Sequence, residues 1–410
     1  MVAALLGNTP TKLTNVTNMG DVEITKYMLT SINVKVDLTF DGTMTIDPTN
    51  LDLSSVALPP SGANRIPILL LGALLHRFEE VEVPVLGGCL IGERKVDFHL
   101  EIIEQFGGRV EQTEEKFLAK RTKQLVGSQI TLPYPSVGAT ETCLYLGVLA
   151  KGTTVISNVA VEPEILELVA MLQSMGAIIY VFPELREFRI EGVKELSGTL
   201  VPVMGDRIDA ASWACMACAT DGEITVHGIN REHLGNFFPY FQQVGGGFTF
   251  IETNSIRFFR KSSLKPVIVE TDVYPSFSTD LQQPFAVLLT QAEGVSIIHE
   301  TVYENRFSYL NSLNKLGAKT QLESHCLGST PCRFRNSGHK HSAIIVGGTP
   351  LVCADRIDVS DLRAGLACVI AAAVASGMTT ITNIHHIERG YGKLDERISH
   401  LNFSIEKVLL

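Results

Sequence analysis

The sequence lacks the two features that would place the protein at a membrane. Its most apolar stretch, residues 366–375, is much shorter than the roughly 20 residues that a membrane-spanning helix needs. The apolar residues 2–6 have no basic flank and end at Gly7, which does not fit a secretory signal peptide. We therefore expect a cytoplasmic protein with no membrane partner.

The sequence also lacks an excess of basic charge and a disulfide framework. The formal net charge is −10 and no cluster of Lys and Arg is long enough to offset it, which argues against a nucleic-acid partner. The eight cysteines have no framework spacing, as is typical of a reducing compartment. Cys215 and Cys218 lie in an apolar segment without a second pair of ligands, so we predict that they pack in a core.

Internal repetition is the most informative feature that the sequence does contain. A helix-like segment, a small-residue break and a strand recur about every 70 residues. Glycine suits such breaks because it readily adopts the left-handed conformation that ends a helix. The six predicted breaks are Asn33, Gly107, Gly176, Gly245, Gly317 and Asn402.

A polar turn followed by an apolar helix precedes each break by about 40 residues. Five such turns are present, at Asn64-Arg65, Ser136, Asp206, Thr279-Asp280 and Asp361. The same offset places the turn of the first unit before Met1, and residues 2–7 resemble the tail of its helix. The first unit is therefore predicted to lack its strand, its turn and most of its helix.

Six units of this size predict two α/β domains of three units each, residues 1–204 and 205–410, with polar turns collected at a cleft between them. The alternative is one long doubly wound α/β enzyme in which the glycine spacing is coincidental. The breaks and the polar turns recur independently and keep the same spacing relative to each other, which favours true repeats.

The turns themselves resemble those of the enolpyruvyl transferases, in particular the members that act on UDP-N-acetylglucosamine in peptidoglycan synthesis. The matching segments are residues 86–94, 135–140, 162–165, 206–209, 278–282, 304–307, 361–364 and 387–391. The resemblance implies two inside-out α/β barrels, each of three units, with the active site in the cleft between them.

The resemblance also defines what the first unit lacks. The missing strand and turn would belong to the second domain, leaving a sheet edge unpaired there, and the family's Lys-Asn pair would lie upstream of Met1. We expect either a start placed too far downstream, with about 25 to 30 further residues, or a decayed paralogue with little activity.

The chemistry implied is transfer of the enolpyruvyl group of phosphoenolpyruvate to the sugar 3-hydroxyl. Cys89 stands in a Gly-Gly-Cys loop five residues before Arg94, whose charge would favour a thiolate. Cys89 matches the family's proton-donating cysteine, the residue that fosfomycin alkylates. Asp280 matches the carboxylate that faces the acceptor hydroxyl, although a helix N-cap is a second interpretation. The other seven cysteines are predicted to be small core residues.

The substrate-binding residues are carried over from the same motifs. Arg306 and Arg363 would hold the carboxylate of phosphoenolpyruvate, and Arg94 and Arg389 its phosphate. The residues matching the sugar-nucleotide site, besides Asp280, are Arg65, Arg94, Lys95, Val96, Asp97, Phe98, Ser136, Val137, Gly138 and Val302. Of these, residues 136–138 would present backbone N–H groups to the diphosphate. No metal and no organic cofactor is implied.

Two departures affect the nucleotide site. Tyr134 stands where many members have lysine, and Lys95 replaces a proline beside the uracil. Two further functions therefore stay open, namely an enolpyruvyl transferase that uses another acceptor and a non-catalytic binding protein.

Overall fold

The computed structural model describes residues 1–59, 64–85, 87, 96–329 and 331–408. The described residues form two compact units, and the chain passes from one to the other between Met204 and Gly205. No helix in these ranges combines the length and the hydropathy needed to cross a bilayer.

The first of these two compact units, which is larger than the single repeats described above, is mixed α/β. Its strands are β1 (Thr11–Thr14), β2 (Lys35–Leu38), β3 (Met44–Asp47), β4 (Glu80–Pro84), β5 (Gly108–Gln112), β6 (Lys116–Arg121), β7 (Gln129–Thr131), β8 (Thr153–Ser157), β9 (Ile178–Phe182), β10 (Glu187–Glu191) and β11 (Leu200–Pro202). Its α-helices are α1 (Gly20–Thr30), α2 (Ile66–Leu74), α3 (Asp97–Gln105), α4 (Val137–Gly147) and α5 (Pro163–Ser174), with 3₁₀ helices at Val2–Leu6 and Pro183–Leu185.

Three sheets of this unit repeat one pattern. Their strand orders are β11-β1-β3-β2, β4-β6-β5 and β7-β8-β10-β9. In each, a strand, a helix and a second strand are followed by a strand that pairs antiparallel with both. The repetition predicted from the sequence is therefore present in the strand pairing.

Helices form the interior of this unit. Eight of the nine residues of α2 are buried, from Pro67 to Leu74, and so are all five residues of the 3₁₀ helix Val2–Leu6, which packs against α2. A helix that is apolar on every side must be covered on every side, whereas strands such as β4 alternate buried and more exposed residues. Residues 2–6 are thus helical and buried, as predicted for the tail of the first helix.

The second unit follows the same plan. Its strands are β12 (Glu223–His227), β13 (Gly246–Glu252), β14 (Ser255–Arg260), β15 (Ile268–Glu270), β16 (Gly294–His299), β17 (Lys319–Glu323), β18 (Ser342–Gly347), β19 (Ile357–Asp358) and β20 (Ile381–Thr382). Its α-helices are α6 (Arg207–Ala219), α7 (Phe237–Val244), α8 (Gln282–Thr290), α9 (Leu310–Lys315), α10 (Leu362–Val374), α11 (His385–Glu388) and α12 (Leu394–Ser399), with 3₁₀ helices at Arg231–Leu234 and Thr279–Leu281.

The helices α6, α8 and α10 pack against one another and belong to one hydrophobic core. Three sheets accompany them, ordered β12-β14-β13, β15-β16-β18-β17 and β19-β20. Among the described residues, β12 pairs with a strand on one side only, as do the other edge strands, such as β13 and β17. Cys215 and Cys218 are fully buried in α6, so their predicted core role is confirmed.

Five of the six predicted breaks have the left-handed backbone. The φ angles are 64° at Asn33, 93° at Gly107, 108° at Gly176, 111° at Gly245 and 90° at Gly317. The sixth prediction, a strand after Asn402, is wrong, because residues 400–408 form neither helix nor strand. Most side chains there are exposed, so too little apolar surface is buried to hold a strand in place.

Candidate active site

The polar turns begin the inner helices, as predicted. Ser136 caps α4, Asp206 caps α6 and Asp361 caps α10, each accepting a backbone N–H of the first turn with its side chain. At the Thr279-Asp280 turn the cap is Ser278, whose Oγ accepts the N–H of Asp280 at 3.3 Å. The Asp280 carboxylate is therefore left for another role, and the N-cap interpretation of this residue is wrong.

Two arginines hold the Asp280 carboxylate. Nη2 of Arg306 donates to Oδ1, and Nε of Arg363 donates to Oδ2 at 3.2 Å. Arg306 is 2% exposed, whereas the Asp280 side chain is 34% exposed, so water is excluded from the arginine but reaches the carboxylate. The two arginines come from different repeats of the second unit, one after β16 and the other at the start of α10.

These charges set the protonation of Asp280. Burial by itself raises the pKa of Asp280, but Arg363 and Arg306 outweigh burial and lower the pKa to about 2. Arg207 contributes in the same direction. The pKa values of Arg306 and Arg363 are raised: burial opposes their charge, while Asp280 favours it in both cases. The carboxylate is ionised and a weak base as long as both arginines face it.

Arg363 connects this pair to two other turns. Its Nη1 donates to the Tyr391 hydroxyl at 3.2 Å and lies 4.0 Å from Oδ2 of Asp206. Arg389 lies two residues before Tyr391, at the end of α11. The polar turns of all three repeats of the second unit thus converge at one place.

A buried carboxylate positions the turn that carries Val302. Oε1 of Glu300 accepts the backbone N–H groups of Val302 at 2.7 Å and Tyr303 at 2.9 Å. Its Oε2 accepts the Thr279 hydroxyl at 2.8 Å and the Gln282 amide. Glu300 therefore ties the Val302 turn to the turn of Asp280.

The first unit has a second group of predicted site residues, around His99. Nδ1 of His99 lies 2.7 Å from Oγ1 of Thr142, and its ring lies against Gly138 in the first turn of α4. Burial lowers the pKa of His99 to about 4, with a smaller effect from Arg65. His99 thus brings the start of α3, which carries Val96, Asp97 and Phe98, to the start of α4, which carries Ser136, Val137 and Gly138.

The N-terminus of α4 can receive an anion. Ser136 satisfies the N–H of Ala139, whereas helix geometry leaves the N–H groups of Val137 and Gly138 without partners within the helix. Cys89, Arg94 and Lys95, which were predicted to contribute to catalysis and binding, lie outside the described residues.

We expect Gly138→Ala to disturb this helix start. A Cβ at position 138 would lie 3.0 Å from Cε1 and 3.2 Å from Nε2 of His99, which its contact with Thr142 holds in place. The free energy of unfolding should fall by about 1–3 kcal/mol, measured by urea denaturation.

Gly235→Ala is the matched control. Gly235 has a φ of −49° and its Cβ would come no closer than 3.4 Å to the Glu232 carbonyl oxygen. This change should alter the free energy of unfolding by less than about 0.5 kcal/mol. Equal effects of the two substitutions would contradict the role given to the contact between Gly138 and His99.

A family model for EPSP synthase (3-phosphoshikimate 1-carboxyvinyltransferase) matches residues 1–398. The chain belongs to the EPSP synthase family. The UDP-N-acetylglucosamine 1-carboxyvinyltransferase of Protochlamydia amoebophila is 43% identical, with 100% of this chain and 89% of that protein aligned. The protein of the same name from Chlamydia pneumoniae is 42% identical, with 99% and 89% aligned.

The solved structure of another protein has the same fold as this chain. The enolpyruvyl transferase NikO from Streptomyces tendae superimposes with a TM-score of 0.83 at 21% identity, covering 98% of this chain and 91% of NikO. The fold is the two-domain inside-out α/β fold of the enolpyruvyl transferases. The alternative of one doubly wound domain is wrong.

Three residues near the predicted sites were missed by sequence reasoning. Arg207 acts on Asp280 from the start of α6, Glu300 organises the Val302 turn, and His99 joins two helix starts. Arg207 follows the cap residue Asp206 and could have been included on that signal. No signal in the sequence points to Glu300 or His99, because their roles depend on contacts with segments that are distant in sequence.

Proposed function

We propose that the protein transfers the enolpyruvyl group of phosphoenolpyruvate to the 3-hydroxyl of UDP-N-acetylglucosamine, a committed step of peptidoglycan synthesis in the cytoplasm. The observation that carries the proposal is the Asp280 carboxylate held by Arg306 and Arg363. Full-length relatives with 42–43% identity that bear this enzyme name support the choice of substrates.

In this proposal Arg306 and Arg363 bind the carboxylate of phosphoenolpyruvate through their guanidinium groups. Arg389 and Arg94 face its phosphate, and Cys89 gives a proton to the methylene carbon. The sugar hydroxyl then adds to the adjacent carbon and loses its proton to Asp280. Elimination of phosphate and of a methylene proton restores the enol double bond.

The arginines also control the basicity of Asp280. The pKa of about 2 makes this carboxylate a poor base while both guanidinium groups face it. A substrate carboxylate that takes up some of the guanidinium donors weakens that pairing and adds a negative charge nearby. Both effects raise the pKa of Asp280, so the base becomes effective as phosphoenolpyruvate binds.

On the sugar-nucleotide side, the N–H groups of Val137 and Gly138 at the start of α4 receive the diphosphate. Arg65 and the residues that begin α3 complete this site. Val302, whose turn Glu300 holds, contacts the acetamido group.

Ligand binding tests the choice of acceptor. UDP-N-acetylglucosamine should raise the unfolding temperature, with about 2.7 kcal/mol of stabilisation at a concentration about 100 times Kd. UDP alone should give a smaller rise, and N-acetylglucosamine alone should give none. No shift at millimolar UDP-N-acetylglucosamine would contradict the proposed acceptor.

Turnover separates the enzyme from a non-catalytic binding protein. Phosphate release should require both substrates, and mass spectrometry should show the sugar nucleotide carrying one added enolpyruvyl group. Stabilisation by the sugar nucleotide without phosphate release would indicate a binding protein. Phosphate release unchanged in Cys89→Ala would contradict the role given to Cys89.

A further inference from the structure

Four side chains outside the candidate active site meet at the end of β16 in the second unit. They are His299, Cys326, Cys332 and His341, and their ligand atoms all lie within 4.8 Å of one another. We propose that these four residues bind one zinc ion in a closed, structural site.

The sulfur distances fit coordination better than they fit a disulfide. Sγ of Cys326 lies 3.8 Å from Sγ of Cys332 and 3.4 Å from Nε2 of His341. Zn–S and Zn–N bonds of about 2.3 and 2.0–2.1 Å give tetrahedral edges of about 3.8 Å between two sulfurs and about 3.5 Å between sulfur and nitrogen. A disulfide would need the sulfurs about 2.05 Å apart. The widest separation between ligand atoms, at most 4.8 Å, exceeds these edges by about 1.0–1.3 Å, so the side chains must move closer together to bind the ion.

His299 provides independent support. Its side chain is fully buried, yet neither ring nitrogen makes a hydrogen bond within the described part of the chain. Nδ1 lies 3.5 Å from Oε1 of Glu270, which leaves Nε2 for a metal. A buried ring nitrogen without a hydrogen-bond partner is costly, and a metal bound to Nε2 would remove that cost. A carboxylate beside the other nitrogen is the usual companion of a zinc-bound histidine.

The surroundings orient the remaining ligands. Nδ1 of His341 lies 2.8 Å from the His339 carbonyl oxygen and donates to it in the tautomer that leaves Nε2 for the metal. The backbone N–H of Phe334 donates to Sγ of Cys332 at 3.4 Å. Oε2 of Glu270 accepts the N–H of Ser329 at 2.9 Å and its hydroxyl at 2.8 Å, which holds the loop after Cys326 over His299.

Ligand chemistry selects the ion. Two thiols and two imidazoles suit zinc, whereas calcium and magnesium prefer oxygen ligands. Four protein ligands leave no open position, as in structural rather than catalytic zinc sites. Both thiols lose their protons when the ion binds. The sequence implies no metal and predicts core packing for these cysteines. The core prediction is wrong for Cys326 and Cys332, which are only partly buried, and for Cys353, which is exposed.

The site stabilises the turn of the candidate active site. Arg333, next to Cys332, donates through Nη2 to the Val302 carbonyl and lies 3.8 Å from Glu304. The N–H of Glu300, which follows His299 in the chain, donates to the His341 carbonyl at 2.8 Å. A zinc ion would therefore hold the loop between β17 and β18 against the turn that carries Val302.

Metal content is the decisive measurement. The full chain, purified without a polyhistidine tag, should contain about one equivalent of zinc by mass spectrometry, released when a mercurial reagent blocks its thiols. Cobalt substitution should give the visible absorption of tetrahedral cobalt bound to thiolate. The proposal would be overturned if the protein, purified with zinc present, contained less than about 0.1 equivalent of zinc. It would also be overturned if Cys326 and Cys332 formed a disulfide under reducing conditions.

Variants locate the ion. Cys332→Ser should lower the zinc content at least about fivefold, whereas Cys353→Ser, which removes an exposed cysteine outside the cluster, should not change it. His341→Cys retains a ligand and should retain zinc, which covers the case in which Cys332→Ser does not fold. Unchanged zinc in a folded Cys332→Ser protein would overturn the assignment.

The link to the Val302 turn rests on the proposed function and has its own readout. Removing zinc with a chelator should lower the unfolding temperature and raise Kd for UDP-N-acetylglucosamine about tenfold. If the zinc-loaded protein does not bind this nucleotide, the proposed function fails, while metal content and unfolding temperature still decide the zinc site. An unchanged unfolding temperature after zinc removal would overturn the structural role.

Discussion

Asp280→Asn is expected to lower kcat about 10³-fold, because a positioned general base contributes about 10²–10⁴ to the rate. Asparagine has nearly the same shape and still offers an oxygen to Arg306 or Arg363, but it cannot accept the proton of the sugar hydroxyl. It also removes a negative charge that competes with the substrate carboxylate for both arginines. KM for phosphoenolpyruvate should therefore stay constant or fall while kcat collapses. Steady-state phosphate release measures both constants.

Asp358→Asn is the matched control for this change. The Asp358 carboxylate also pairs with an arginine, Arg356, at 3.0 Å, but at the surface of the same unit. It should leave kcat within about twofold of the unmodified protein, because a surface ion pair contributes little. An Asp280→Asn protein that keeps more than about a tenth of kcat would exclude Asp280 as the general base.

Arg306→Met is expected to have the largest effect on stability. Methionine matches part of the length of arginine but leaves the partly buried Asp280 carboxylate with one fewer cation. Breaking a fully buried pair by removing one partner costs about 3–5 kcal/mol. Because Asp280 is 34% exposed and keeps its pair with Arg363, the free energy of unfolding should fall by about 2–4 kcal/mol. The kcat/KM for phosphoenolpyruvate should fall about 10²–10³-fold, because a preorganised donor to its carboxylate is lost.

Arg356→Met provides the comparison at the surface. The Arg356 side chain is 64% exposed, and its pair with Asp358 should contribute less than about 1 kcal/mol. Urea denaturation gives the free energy of unfolding of both variants, and steady-state kinetics gives their kcat/KM. Both variants lose one positive charge, so a difference between them reflects where the arginine lies and not the lost charge alone. If Arg306→Met unfolds with the same free energy as Arg356→Met and keeps its kcat/KM, the proposed cluster has no energetic or functional role.

Local chemistry explains why much of the repeat plan could be predicted. A left-handed cap at Gly107 or Gly245 needs only the absence of a Cβ, and a capped helix start at Asp206 or Asp361 needs only a short polar side chain. These requirements act within a few residues and leave a periodic trace in the chain. The prediction was wrong at Asn402, which does not adopt the left-handed backbone and is followed by mostly exposed residues that bury too little apolar surface to form a strand.

The site depends on contacts that leave no such trace. Arg363 and Asp280 are 83 residues apart in sequence, and only the packing of α8 against α10 brings their side chains to 3.2 Å. The role of Asp280 could be argued from resemblance, but its pKa could not, because burial and the facing arginines act on it in opposite directions. His299 and Cys326 lie on different segments, and the four residues of the proposed zinc site have no regular spacing, so the sequence did not indicate the site.

The sequence by itself determined five of the six repeat breaks, the helix starts and the family resemblance, because each rests on residue types at short and regular spacing. Only the tertiary structure decided that Ser278 and not Asp280 caps its turn, that Glu300 holds the Val302 turn, and that two cysteines meet two histidines. The physical reason is that hydrogen bonds, ion pairs and coordination depend on distances of a few ångströms between side chains. Sequence separation does not determine those distances until the inner helices and the sheets have packed.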